Sequence, residues 1–339
     1  MKKAIITLSV IGALGTGLLL NDSHDSHQDE HHGHGHGHED EHAHVHEEST
    51  KAQIALVSPI PNDQDYNAPL ASLGFTLFND PKLSSNGKVS CASCHNLATN
   101  GAEITPVSTG VKGAGDRNSL TVFNSSLNYR FFWDGRANTL LEQLDGPVEN
   151  PLEMDSSWEE IETYVLGNTH YKEMFTGAGL KISKDNIKLA LTEFMRALNT
   201  PNAPFDRYLE GETTALNEQQ TRGWNEFQDQ GCINCHRGVN IGGGLVTRFG
   251  YFGLPDNAEE ETSAKSNMFR VASLRNVAQT APYFHDGSVE SLREAITIMA
   301  KVQLGKELSE QSIEDIHSFL QTLTGEKPQI LQGGVNAKN

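Results

Sequence analysis

Positive charge is in short supply in this chain. Lysine and arginine total 26 against 44 aspartates and glutamates, a formal net charge of −18. That balance excludes nucleic acid and an anionic membrane surface as electrostatic partners. It suits a basic protein partner, through complementary steering fields. Aromatic residues are also scarce, at 7%, whereas 31 glycines and 12 prolines indicate long connecting loops. Convincing alternation of apolar and polar residues is missing, which excludes a sheet-based architecture. Cysteine occurs only four times in 339 residues, and the placement of those four carries most of the functional information.

What is present begins at the N-terminus. Lys2 and Lys3 precede an apolar run over residues 4–20, and polar sequence follows. This is the pattern of a secretory signal, so the remainder is exported and expected to be periplasmic. No small-x-small site closes the run, so residues 1–20 read either as a signal peptide or as an uncleaved N-terminal membrane anchor. Residues 21–50, NDSHDSHQDEHHGHGHGHEDEHAHVHEEST, hold ten of the fifteen histidines. With no apolar periodicity they cannot bury a core and read as a disordered tail. Alternating imidazoles and carboxylates could buffer zinc, copper or nickel at exchangeable sites; a solvated linker accounts for them equally.

From residue 51 the chain becomes globular and helical. Ile187, Ala190, Leu191, Phe194, Met195 and Leu198 form one apolar stripe. Leu292, Ala295, Ile296 and Met299 form a second, and Ile313, Ile316, Leu320 and Leu323 a third, capped by Ser309. The four cysteines occur only as Cys91-x-x-Cys94-His95 and Cys232-x-x-Cys235-His236. Cys-x-x-Cys-His is the attachment signature of c-type haem: two thiols three positions apart meet two vinyl groups, and the adjacent imidazole reaches the iron. A thioredoxin-like dithiol, a zinc knuckle or a disulfide could explain one Cys-x-x-Cys. None explains a histidine after both. The fold expected is mostly α, as two cytochrome-c-like domains, each with one covalently bound haem c. Residues 51–204 form the first domain and 205–326 the second, with 327–339 as a C-terminal tail. A His/Met iron transfers electrons, whereas a His-only iron leaves a coordination site for chemistry. Met268 and Met299 are the candidate sulfur ligands of the second haem.

As a set, "LGFTLFNDPKLSSNGKVSCASCH", "FFWDGRANTLLEQLDGPVENPLEM", "GCINCH", "LRNVAQTAPYFHDGS" and "IMAKVQLGKELS" resemble the bacterial dihaem cytochrome c peroxidases, with MauG-type enzymes as cousins. The likeness covers residues 70–325. It implies that the haem on His95 is peroxidatic and that the haem on His236 and Met299 receives electrons. MauG-type relatives carry tyrosine at the Met299 position. It also implies Glu153 as the distal acid, Gln143 as its pocket partner and Trp133 as an electron relay between the haems. Asn118, with the carbonyls of Thr280 and Pro282, matches an inter-domain calcium site, whose oxygen donors suit a hard cation. His285 is expected to be a structural hydrogen-bonding residue. A homodimer is implied in the same way.

Many members of that family carry a histidine in the loop after the first haem motif, which caps the peroxidatic iron until the other haem is reduced. Here Val111 stands at that position, and no histidine lies between His95 and His170. The expectation is a first haem that needs no reductive activation. Capping by His170 or a tail histidine is the competing reading. The activity expected is reduction of hydrogen peroxide by electrons from a small cytochrome c or cupredoxin. The alternative is MauG-like, peroxide-dependent oxidation of a protein or small organic substrate.

Overall fold

The computed structural model describes residues 56–62, 65–254 and 267–332. The signal or anchor expected at 1–20 and the histidine-rich segment 21–50 lie outside them. Among the described residues, five helices reach twelve residues or more: α1 (Ala68–Asn79), α2 (Lys184–Arg196), α3 (Glu218–Asp229), α4 (Leu292–Leu304) and α5 (Glu310–Gln321). Two small antiparallel hairpins accompany them, β1 (Thr109–Gly110) with β2 (Gly113–Ala114), and β3 (Val246–Arg248) with β4 (Met268–Arg270). The fold is mostly α, as expected. None of the described helices is long and apolar enough to cross a membrane.

Local chemistry sets the helix ends. Asn67 accepts from the Leu70 amide at 3.0 Å and caps α1, with Pro69 in its first turn. Ser183 caps α2 and Ser309 caps α5, the latter by accepting from the Ser312 amide at 3.0 Å. Gly305, at φ 66°, ends α4 in the left-handed conformation that glycine adopts without strain.

Two cores form by the same device. In the first, α1 crosses α2 and buries Leu73, Leu77, Ile187, Ala190 and Phe194. In the second, α3 crosses α5 around Trp224, Phe227, Ile316 and Phe319. Each crossing turns on a glycine. A Cβ on Gly74 would overlap the Ala190 carbonyl, and one on Gly223 would overlap the Asp315 carbonyl. Each glycine also faces a phenylalanine Cβ on the partner helix, Phe194 or Phe319. Gly74→Ala is therefore expected to lower stability by about 1–3 kcal/mol, the usual range for overpacking. A reduced urea midpoint with an unchanged slope would register it.

Two short segments cross between the cores. Val57 is buried in the second, and Ile330 and Leu331 pack against the first.

Candidate functional site

The crossings place the histidines of both Cys-x-x-Cys-His motifs. Four residues after Gly74 comes Phe78, whose ring centroid lies 6.3 Å from that of His95. Four after Gly223 comes Phe227, also 6.3 Å from His236. Each imidazole is anchored through Nδ1 by a carbonyl, His95 by Gly101 at 3.3 Å and His236 by Ala272 at 3.1 Å. Burial lowers both pKa values, that of His236 to about 4, with the carbonyl contacts opposing it. Each ring is thus neutral, with Nδ1–H fixed and Nε2 free to ligate, the arrangement that orients metal-bound histidine. A redox dithiol acts through a lowered pKa, and burial here acts in the opposite direction. Burial pushes Cys91 up to about 12 and Cys232 up to about 11.

In the second half, Cys232, Cys235, His236 and Met299 line one cavity, whose walls are largely apolar and include Leu274, Ile296 and Leu320. Met299 reaches it from the half-buried face of α4. Met268 is 39% exposed on β4 and does not line it. A nitrogen donor, a thioether donor, two thiols and greasy walls fit a covalently held haem with histidine and methionine ligands.

In the first half, Glu153, distant in sequence, meets the Cys91–His95 motif. Glu153 lies on the turn after the short helix Asp145–Glu149, and its charge reaches both Cys91 and Cys94. Burial raises its pKa; the Asn150 amide, donating to Oε1 at 2.8 Å, and the more distant Arg136 charge oppose the rise. Gln143 ends the helix Leu140–Gln143 and is half-buried. Val111 sits at the tip of the β1–β2 hairpin, and its backbone amide donates to the Glu153 carbonyl at 2.8 Å. The neighbouring Lys112 amide donates to Pro151 at 3.1 Å, and its ammonium meets Asp155 at 2.8 Å. A Cβ on Gly110 would overlap the Leu152 carbonyl. The hairpin therefore lies directly on the segment that carries Glu153. His170 is exposed beside Tyr171, at 6.2 Å between ring centroids.

Trp133 and His285 meet edge-on at 6.4 Å, and both line the second cavity. Trp133 Nε1 donates to the Asn118 carbonyl at 2.8 Å, and the Asn118 amide donates to the His285 carbonyl at 2.8 Å. His285 also stacks on Phe269 at 4.3 Å. Asn118 is buried, and its Nδ2 donates to the Thr105 and Pro106 carbonyls. Oxygen is thus what its side chain has left to offer a cation.

These two aromatics are equivalent positions of an internal repeat. Phe132-Trp133-Asp134-Gly135 and Phe284-His285-Asp286-Gly287 share a sequence pattern. They also share positive φ values at Phe132, Gly135, Phe284 and Gly287. Isolated bridges flank both, Phe131 with Ala137 and Tyr283 with Val289. The signal, Phe-x-Asp-Gly twice, was present in the sequence. It marks Trp133 and His285 as equivalent positions with no appeal to function.

The model of the di-haem cytochrome c peroxidase family matches residues 68–214. Cytochrome c551 peroxidase of Pseudomonas aeruginosa is 41% identical over 298 residues, covering 81% of this chain and 86% of that protein. The chain belongs to the di-haem cytochrome c peroxidase family. Its counterpart in Nitrosomonas europaea is 40% identical, over 80% of this chain and 85% of that one. The methylamine utilization protein MauG of Methylophilus methylotrophus is more distant, 30% identical over 79% of this chain and 86% of its own. Among solved structures, a MauG-like protein associated with microbial copper homeostasis superposes with a TM-score of 0.69 at 29% identity, covering 79% of this chain and 93% of that one. This family member is therefore an oxidoreductase of the cytochrome c peroxidase type, with two haems.

Proposed function

We propose that this protein reduces hydrogen peroxide to two waters, drawing two electrons from a small cytochrome c or cupredoxin, and that it acts from the fully oxidised state. The observation that carries the second part is the seating of the Val111 hairpin on Glu153. The residue at the tip of that hairpin has no lone pair to offer a metal. Cys91, Cys94 and His95 would hold a haem c, which would supply redox-active iron for O–O cleavage.

The chain's own residues manage the rest. Asn150 occupies Oε1 of Glu153, so Oε2 is the atom that takes the proton from the inner peroxide oxygen and returns it to the outer one. Such a positioned carboxylate is worth about 10²–10⁴-fold. Gln143, a neutral amide, orients peroxide without competing for that proton. His236 and Met299 hold the second haem, where electrons enter, and Trp133 carries them onward from the wall of its cavity. A calcium ion on Asn118 and the carbonyls of Thr280 and Pro282 would tie the two halves together beside that relay. The chain divides into a peroxidatic domain, 51–204, and an electron-transfer domain, 205–326; the two apolar cores support this reading, with Val57, Ile330 and Leu331 crossing between them. A periplasmic location, a homodimeric state and a basic face on the donor complete the proposal.

Stopped-flow addition of peroxide to the oxidised protein tests it. The expected result is a fast spectral change at the first haem with no prior reduction. A bis-histidine, low-spin first haem that reacts only after one-electron reduction would overturn it. Turnover sustained by an organic substrate, with reduced cytochrome withheld, would assign the chain to MauG-like chemistry instead.

A further inference from the structure

Two buried arginines lie five residues apart, and among the described residues only one has a counter-ion. Arg275 is 1% exposed and meets Asp206 with N···O 2.6 Å. Arg270 is 4% exposed, yet its side chain is held by neutral groups alone. Its Nε donates to the Phe132 carbonyl at 3.2 Å and its Nη1 to Ser273 Oγ at 3.3 Å. Its backbone amide donates to the Trp133 carbonyl at 2.6 Å. Burial pushes the guanidinium pKa down to about 10, with no neighbouring charge opposing it. A buried cation without an anion is strongly disfavoured.

Arg270 lines the cavity that holds His236 and Met299. The ionisable groups sharing that lining are Cys232, Cys235, His236, Tyr283 and His285; no aspartate or glutamate is among them. Among the described residues Arg270 has no anion, and the cavity that it lines is where one can arrive. A c-type haem brings two propionate carboxylates, which are equally costly to bury without a cation. The planar fork of arginine suits a carboxylate better than the point charge of lysine.

We propose that Arg270 is the counter-ion of a propionate of the second haem, clamping that carboxylate against the backbone of Phe132 and Trp133. This inference rests on the two-haem reading of the family. Two consequences follow. The pairing neutralises a negative charge close to the second iron, which favours reduction of that haem. It also fixes the haem edge to the strand of backbone that bears Trp133, so the relay and the electron-entry centre share one anchor.

Spectroelectrochemical titration of the holoenzyme tests this, with wild type, Arg270→Gln and Arg270→Lys compared. Arg270→Gln is expected to disfavour reduction of the second haem about tenfold, or ~59 mV for one electron. The resonance Raman propionate-bending band of that haem should shift with it. Arg270→Lys, keeping charge without the fork, should fall between the two in midpoint and also shift the band. A fully haem-loaded Arg270→Gln protein with wild-type midpoint and band would overturn the proposal. Should Arg270→Gln fail to load the second haem, a wild-type band in Arg270→Lys would overturn it equally. The readout is an equilibrium at the second haem, so it stands apart from whether peroxide is the substrate.

Discussion

Glu153→Gln is expected to lower peroxide turnover by about 10²–10⁴-fold while leaving haem content and the second haem's midpoint unchanged. The substitution keeps shape and retains an oxygen for Asn150 Nδ2, the contact made at 2.8 Å in the parent protein. What it removes is the proton-accepting Oε2. Steady-state kinetics with a reduced cytochrome donor would read the loss, and pyridine haemochrome absorbance would read the haem. The pH profile adds a second, independent check. Burial raises the Glu153 pKa, so the ionised base is lost at a higher pH than an ordinary carboxylate would show. Wild-type turnover should therefore fall on the acid side as pH drops through that raised value, and the glutamine variant should lack this limb. Arg136 opposes the rise. Arg136→Gln should move the acid limb to higher pH, modestly, because Arg136 is solvent-exposed and screened. Equal turnover in Glu153→Gln and wild type would remove the proton shuttle from the mechanism.

How much of this was legible beforehand varies from residue to residue for physical reasons. The haem motifs were legible because their spacing is dictated by the porphyrin, not by the rest of the fold. The α2, α4 and α5 stripes were legible because amphipathic periodicity is local. The glycine crossings were not: Gly74 and Gly223 look like helix weaknesses until the carbonyls of Ala190 and Asp315 are found against them. Glu153 illustrates the middle ground. Its surroundings, EQLDGPVENPLEMD, carry the charge of a surface loop, and only the resemblance singled it out. The structure brings it to Cys91 through a turn and a hairpin that no periodicity encodes. Arg270 was invisible in the sequence. Burial without a partner is a property of packing between β4, Phe132 and the cavity wall, and a lone arginine in a chain gives no hint of it.

Installing the missing imidazole tests the open-site idea from the opposite direction. Val111→His is expected to convert the oxidised first haem to a six-coordinate, low-spin state and to slow its reaction with peroxide. The hairpin favours this outcome because its backbone is already docked. The Val111 amide is bonded to the Glu153 carbonyl, Lys112 is paired with Asp155, and Gly110 sits against Leu152. An imidazole at position 111 would therefore start from an ordered loop beside the reacting face, with little entropy left to lose on ligation. If the capped form outweighs the open one by about 100 to 1, the rate constant observed from the oxidised state falls about 100-fold. One-electron reduction of the second haem should recover part of that loss, which would transplant reductive activation into a protein proposed to work without it. Electron paramagnetic resonance of the oxidised variant reads the spin state, and stopped-flow mixing before and after reduction reads the rates. A high-spin variant reacting as fast as wild type would mean that position 111 does not stand over the iron. The freedom from activation would then have to arise elsewhere in the pocket around Glu153.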